Sequence, residues 1–198
     1  MKRLMMILSA ILLIGMAGTV PANAQFGKIL KKAKSALESV GGTTTDGKQL
    51  VAKVAETPIA SGGTMQNPLK DVVDIDLVGA YGVSTSQNYG YVYLVFKVKM
   101  IANKSSMGLG GAINGSEMMA VDQDGNAYKT YTGSNSTQQV TEGVAVKITL
   151  NDKDWQFMDV KRTAKTLQLM RFGVYVDAQH RGMVTCKNVP IIWDQEPK

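Results

Sequence analysis

From Tyr89 to Asn103 apolar and polar residues alternate along the chain. Val92, Leu94, Phe96, Val98 and Met100 fall on one side, and Tyr89, Tyr91, Tyr93, Lys97 and Lys99 on the other. Only a strand places successive side chains on opposite faces, so a long strand with one dry and one wetter face is expected. The same period recurs. Val73, Ile75, Leu77 and Tyr81 alternate with Asp74, Asp76 and Ala80, and Val144, Val146, Ile148 and Leu150 with Lys147, Thr149 and Asn151. Residues 117–121 and 127–132 flank Asp122-Gln123-Asp124-Gly125-Asn126, whose composition predicts a hairpin turn. Residues 167–176 and 183–192 predict a second hairpin across 177–182. The stretches 104–115, with Gly108, Gly110 and Gly111, and 133–141 read as loops, the first of them long and flexible. Some seven or eight short strands over residues 65–198 predict a mainly β domain, a sandwich of two antiparallel sheets.

The N-terminal pattern differs. Met1-Lys2-Arg3, an apolar run over 4–16 and Ala22-Asn23-Ala24 have the form of a secretory signal peptide over 1–24, with cleavage between Ala24 and Gln25. The apolar run is too short for a membrane span. No Cys lies near the cleavage point, so the expected product is periplasmic or extracellular, of bacterial style, and not lipid-anchored. Over 25–40 the period lengthens to that of a helix. Phe26, Ile29, Leu30, Ala33, Leu37 and Val40 gather on one arc, with Lys28, Lys31, Lys32 and Lys34 opposite, and Gly41-Gly42 ends the run. Such a basic amphipathic helix docks its stripe on the domain or a protein partner, or lies on an anionic membrane surface. Residues 41–64, punctuated by Pro58 and Ser61-Gly62-Gly63, read as a linker.

Charge changes this picture little. The formal net charge of +6 becomes +4 once Lys2 and Arg3 leave with the signal peptide, since 20 basic residues then face 16 acidic ones. Much of the surplus sits in the helix, and no basic patch is interleaved with aromatics as nucleic-acid binders require.

One run resembles a known family. A hydrophobic strand closes in Ile101-Ala102-Asn103-Lys104-Ser105, and after a loop a further strand meets Asp122, Gly125 and Tyr128 in the spacing Asp-x-x-Gly-x-x-Tyr. Val140-Thr141-Glu142-Gly143 and an alternating strand follow. The order is similar to that of the immunoglobulin-like, telokin-like β-sandwich modules of bacterial exported proteins and lipoproteins. The resemblance spans about residues 70–192. It implies an Ig-like sandwich and an accessory or binding module without catalytic residues. No Cys…Trp…Cys pattern supports an antibody-type domain.

Little in the chain has the form of reaction chemistry. Asp122, Asp124 and Asn126 could converge oxygen ligands, but the positions an EF-hand reserves for Gly and Glu hold Ala127 and Gly133, so a backbone-bonding turn is expected instead. His180 and Cys186 are the single residues of their types, and a hairpin sets one at the tip and the other inside a strand. No metal, cofactor or catalytic residue is predicted. Tyr89, Tyr91 and Tyr93 share a face and form the candidate binding surface, for a protein or for sugar rings, with cross-strand packing as the simpler role. The expected function is an exported, non-enzymatic module recognising another envelope protein. The alternatives are a peripheral membrane protein held by 26–40 and a glycan-binding module using the tyrosine face.

Overall fold

The computed structural model describes residues 54–131 and 133–197. The predicted leader, the helix with Phe26, Lys28, Ile29, Leu30, Lys31, Lys32 and Leu37, and the linker up to residue 53 lie outside the described residues. Within them the chain is mainly β. Twelve strands follow in order: β1 (Thr57–Pro58), β2 (Thr64–Gln66), β3 (Val73–Ser84), β4 (Tyr89–Met100), β5 (Ser106–Leu109), β6 (Met119–Asp122), β7 (Ala127–Lys129), β8 (Ser136–Gln139), β9 (Ala145–Leu150), β10 (Phe157–Lys161), β11 (Thr166–Tyr175) and β12 (Arg181–Trp193). A single 3-10 turn, Lys153–Trp155, separates β9 from β10.

All twelve strands join one hydrogen-bonded network, with the order β10-β4-β3-β12-β11-β5-β8 through its middle. Several short strands share an edge of a longer one. β9 and β10 both line β4, and β5 and β6 both line β11, with β8 and β7 outside them. From Val73 onward the chain therefore makes seven runs: β3, β4, β5–β6, β7–β8, β9–β10, β11 and β12. Part of the stretch read as linker also joins the network, since β1 pairs with β2 and β2 with β12. Among the pairings between these strands, one departs from the antiparallel expectation. After β12 runs beside β11, its last three residues, Ile191 to Trp193, pair parallel with Ala80 to Gly82 of β3.

Beyond that switch of partner the sheet bends over a core. β4 and β11 have two strands between them, which in a flat sheet would hold them about 14 Å apart. Yet the Phe96 and Phe172 ring centroids are 5.0 Å apart. The sheet curls so that its inner faces meet, and Val92, Leu94, Phe96, Val98 and Met100 of β4 are all fully buried there.

The alternation in β3 is broken by a bulge. Leu77 pairs with Phe96, but the next pair is Gly79 with Val95, and Val78 is the extra residue. Beyond it the faces exchange. Ala80 turns into the core and Tyr81 turns out, the reverse of a strict period of two. Val144 also departs from its predicted inward face: β9 begins one residue later and Val144 is 52% exposed.

The glycine-rich stretch 104–115 is built into the sheet. Ser106–Leu109 forms β5, and the Gly111 amide donates to Asn135 Oδ1 at 3.1 Å. A Cβ on Gly173 of β11 would lie 2.1 Å from the Gly111 carbonyl oxygen, so the two backbones pack where only glycine fits.

Candidate functional site

The three tyrosines do share one face of β4, the outer one, but in graded environments. Tyr93 is 7% exposed and stacks on Tyr81 at 5.8 Å between centroids, and Tyr91 tilts against it at 6.5 Å. Burial, with Tyr91 and Tyr81 adding to it, raises the Tyr93 phenol above its ordinary value. Val95, Val78, Val83 and Ile192 complete this outer cluster. Cross-strand packing therefore accounts for Tyr93 and largely for Tyr91. Only Tyr89, 45% exposed at the start of β4, presents its ring freely.

Tyr89 stands at the edge of an open cleft of about 320 Å³, lined by Gln87, Asn88, Tyr89, Lys161, Arg162 and Thr163. Two turns form it, the β3–β4 tip and the connection from β10 to β11. They come together because β10 pairs with β4, setting Lys161 opposite Tyr89, and because the Arg162 amide donates to the Asn88 carbonyl at 2.9 Å. The tip holds its own shape: the Thr85 and Ser86 amides donate to the Tyr89 carbonyl, and Ser86 Oγ accepts from the Tyr89 amide at 3.0 Å.

Behind the cleft lies a charged latch. Asp194 accepts from the Ser84 hydroxyl at 2.7 Å, the Ser84 amide at 2.9 Å and Arg162 Nη2 at 2.8 Å. The Ser84 bonds first, and the Arg162 charge with them, hold its carboxyl below the ordinary range. Trp193 donates from Nε1 to the Ala164 carbonyl at 2.7 Å, and its ring covers Gly90, where a Cβ would meet it at 2.7 Å. Lys161 Nζ donates to Asn126 Oδ1 at 3.0 Å, a neutral partner.

The remaining candidate groups serve the fold. Asp122 is fully buried, and its Oδ1 accepts the amides of Asp124 and Asn126 at 2.9 and 2.8 Å. Its Oδ2 accepts from Asn126 Nδ2 at 2.8 Å and the Tyr128 hydroxyl at 2.7 Å. Desolvation pushes its pKa up, but these bonds, Tyr128 foremost, outweigh it and the carboxyl titrates low. Burial, then the bond to Asp122, raises Tyr128 strongly. The Asp-x-x-Gly-x-x-Tyr spacing is thus a hairpin whose carboxylate has no lone pair left for a cation. His180 Nδ1 lies 2.9 Å from Asp177 Oδ1, and Lys104 Nζ reaches Asp177 Oδ2 at 3.1 Å. His180 first, then Lys104, holds the Asp177 carboxyl well below the usual range. Cys186 is buried in β12, paired in register with Met170 and Met65, and burial pushes its thiol up to about 12. Among the described residues no three His, Cys, Asp or Glu side chains group as metal ligands.

Lys161, Arg162, Gln87, Asn88 and Thr163 carry no signal of their own in the sequence. Nothing local ties Lys161-Arg162-Thr163 to Tyr89. The pairing of β10 with β4 does so. No family model, no curated protein and no solved structure matches the chain.

Proposed function

We infer that this chain is an exported, non-enzymatic accessory module of the bacterial envelope, built as an Ig-like β-sandwich and working by recognition. The observation that carries the reading is where its polar side chains are committed. Asp122, His180 and Cys186, the groups nearest to reaction chemistry, are spent on a saturated hairpin network, an Asp177 contact and the core. The cleft beside Tyr89, by contrast, offers an open aromatic ring with amide, hydroxyl and cationic groups around it. The signal-like leader and the Asp122–Gly125–Tyr128 spacing support export and the sandwich family, and the Phe96–Phe172 contact across the curled sheet supports two facing layers.

The test is a photo-crosslinking residue at Gln87 in the protein expressed with its leader. A discrete adduct with an envelope component, lost on Tyr89→Ala, is expected. Cytoplasmic retention, or an adduct pattern that Tyr89→Ala leaves unchanged, would refute the reading. The sequence leads one to expect a protein partner. The polar, ring-edged cleft favours a second kind, a saccharide.

A further inference from the structure

We propose that the cleft at the β3–β4 tip binds an acidic saccharide, a sugar bearing a carboxylate or sulfate, with Tyr89 as the platform for its ring. This rests on reading the chain as a recognition module and names the ligand class of that same site.

Four observations converge. The first is size: about 320 Å³ is at the lower end of the range for small-ligand sites, about 300–1,000 Å³. That suits a short piece of a sugar chain in an open trough. The second is uncommitted polarity. No hydrogen bond of the described residues uses the side chains of Gln87, Asn88, Tyr89 or Thr163, although the backbone N–H and C=O of both Asn88 and Tyr89 are engaged. Two amides each offer donor and acceptor, as a pair of neighbouring sugar hydroxyls requires, and the hydroxyls of Thr163 and Tyr89 add two more. The third is the exposed tyrosine ring, a flat apolar surface with a polar rim, matched to the C–H face of a pyranose.

The fourth is charge. Of the six lining residues two are cations and none is an acid. Lys161 leans on a neutral amide, and Arg162 shares Asp194 with Ser84. A guanidinium and an ammonium together receive a carboxylate or sulfate well. The walls are already held in place by the Arg162–Asn88 backbone bond, the Asp194 latch and Trp193 on Ala164, so little ordering opposes binding. A nucleic acid would need several aromatics along a longer basic track, and a protein hot spot would need a deeper apolar pocket.

The experiment is calorimetric titration of the protein from residue 25 onward with three oligosaccharides of one backbone: uronate-containing, sulfated and neutral. Binding of an acidic form at least about tenfold tighter than the neutral one is expected. Tyr89→Ala should abolish it. Lys161→Gln should weaken it about tenfold and lower its salt dependence, with the melting temperature unchanged. Tyr131→Ala, at a site 88% exposed and not among the cleft residues, should leave binding intact. Preference for the carboxylated or the sulfated sugar tells which anion the two cations take. Equal binding of the neutral sugar, binding indifferent to Tyr89→Ala, or equal affinity for acetate or sulfate ions alone would overturn the proposal. So would binding of none of the three. If in that case the Gln87 crosslink still captured an envelope protein through Tyr89, the ligand class would fall while the recognition reading stood.

Discussion

Asp122 and Tyr128 show how a buried carboxylate is made harmless. Each oxygen accepts two hydrogen bonds, so the charge is fully solvated by the hairpin itself. Tyr128→Phe removes one donor and is expected to cost about 1–3 kcal/mol in urea unfolding. The pH dependence follows from the lowered Asp122 pKa. The stability it contributes is complete above the unfolded value of 3.8 and is lost as pH falls through the lower folded value. The wild type should lose urea stability as pH falls below the unfolded value of 3.8, and Asp122→Asn, weaker at neutral pH, should show a smaller acid decline. Cys186, with its thiol pushed up to about 12 inside β12, should resist iodoacetamide in the folded chain and react once urea unfolds it. Rapid labelling of native protein would contradict its burial.

At the scale of the element, the bulge at Val78 and the glycine contact decide more than propensity does. Because the faces of β3 exchange after Leu77, Ala80 is a core position with no room to grow, although the alternation alone puts it on the wet side. Ala80→Leu is therefore expected to destabilise by about 1–3 kcal/mol, by denaturant midpoint, where an outward position would be nearly neutral. Gly173→Ala should cost about 3 kcal/mol or more, since the new methyl group meets the Gly111 carbonyl. Gly133→Ala is the control: its methyl group would meet only the Ala112 side chain at 3.5 Å, and the change should be nearly silent. Both strands were legible from their periods. The bulge was not, because an inserted residue leaves no trace in composition, and neither was the strand Ser106–Leu109 within 104–115, because glycines that permit close packing look like glycines of a loop.

Over the whole molecule, the basic stripe at 25–40 and the cleft pose separate questions about partners. The envelope-recognition reading expects the protein from residue 25 onward to stay in solution with both anionic and neutral vesicles. Salt-sensitive co-sedimentation with the anionic vesicles, lost when Lys28, Lys31 and Lys32 are changed to Gln, would instead make the membrane surface a partner. The candidate site was half legible. Tyr89 was named among three tyrosines, yet its difference from Tyr93 and its neighbours Lys161 and Arg162 depend on which strand lies beside which.

The sequence by itself determined the mainly β class, the inward row of β4 and the turn chemistry of the Asp122 and 177–182 hairpins. Each is a matter of period or of a few adjacent residues, and local sterics enforce them before the chain is assembled. Only the tertiary structure decided the parallel return of β12 onto β3, the curl that brings Phe96 to Phe172, and the cleft at Tyr89. These rest on contacts between residues far apart in the chain, chosen by which apolar faces bury each other best, and no local pattern encodes that choice.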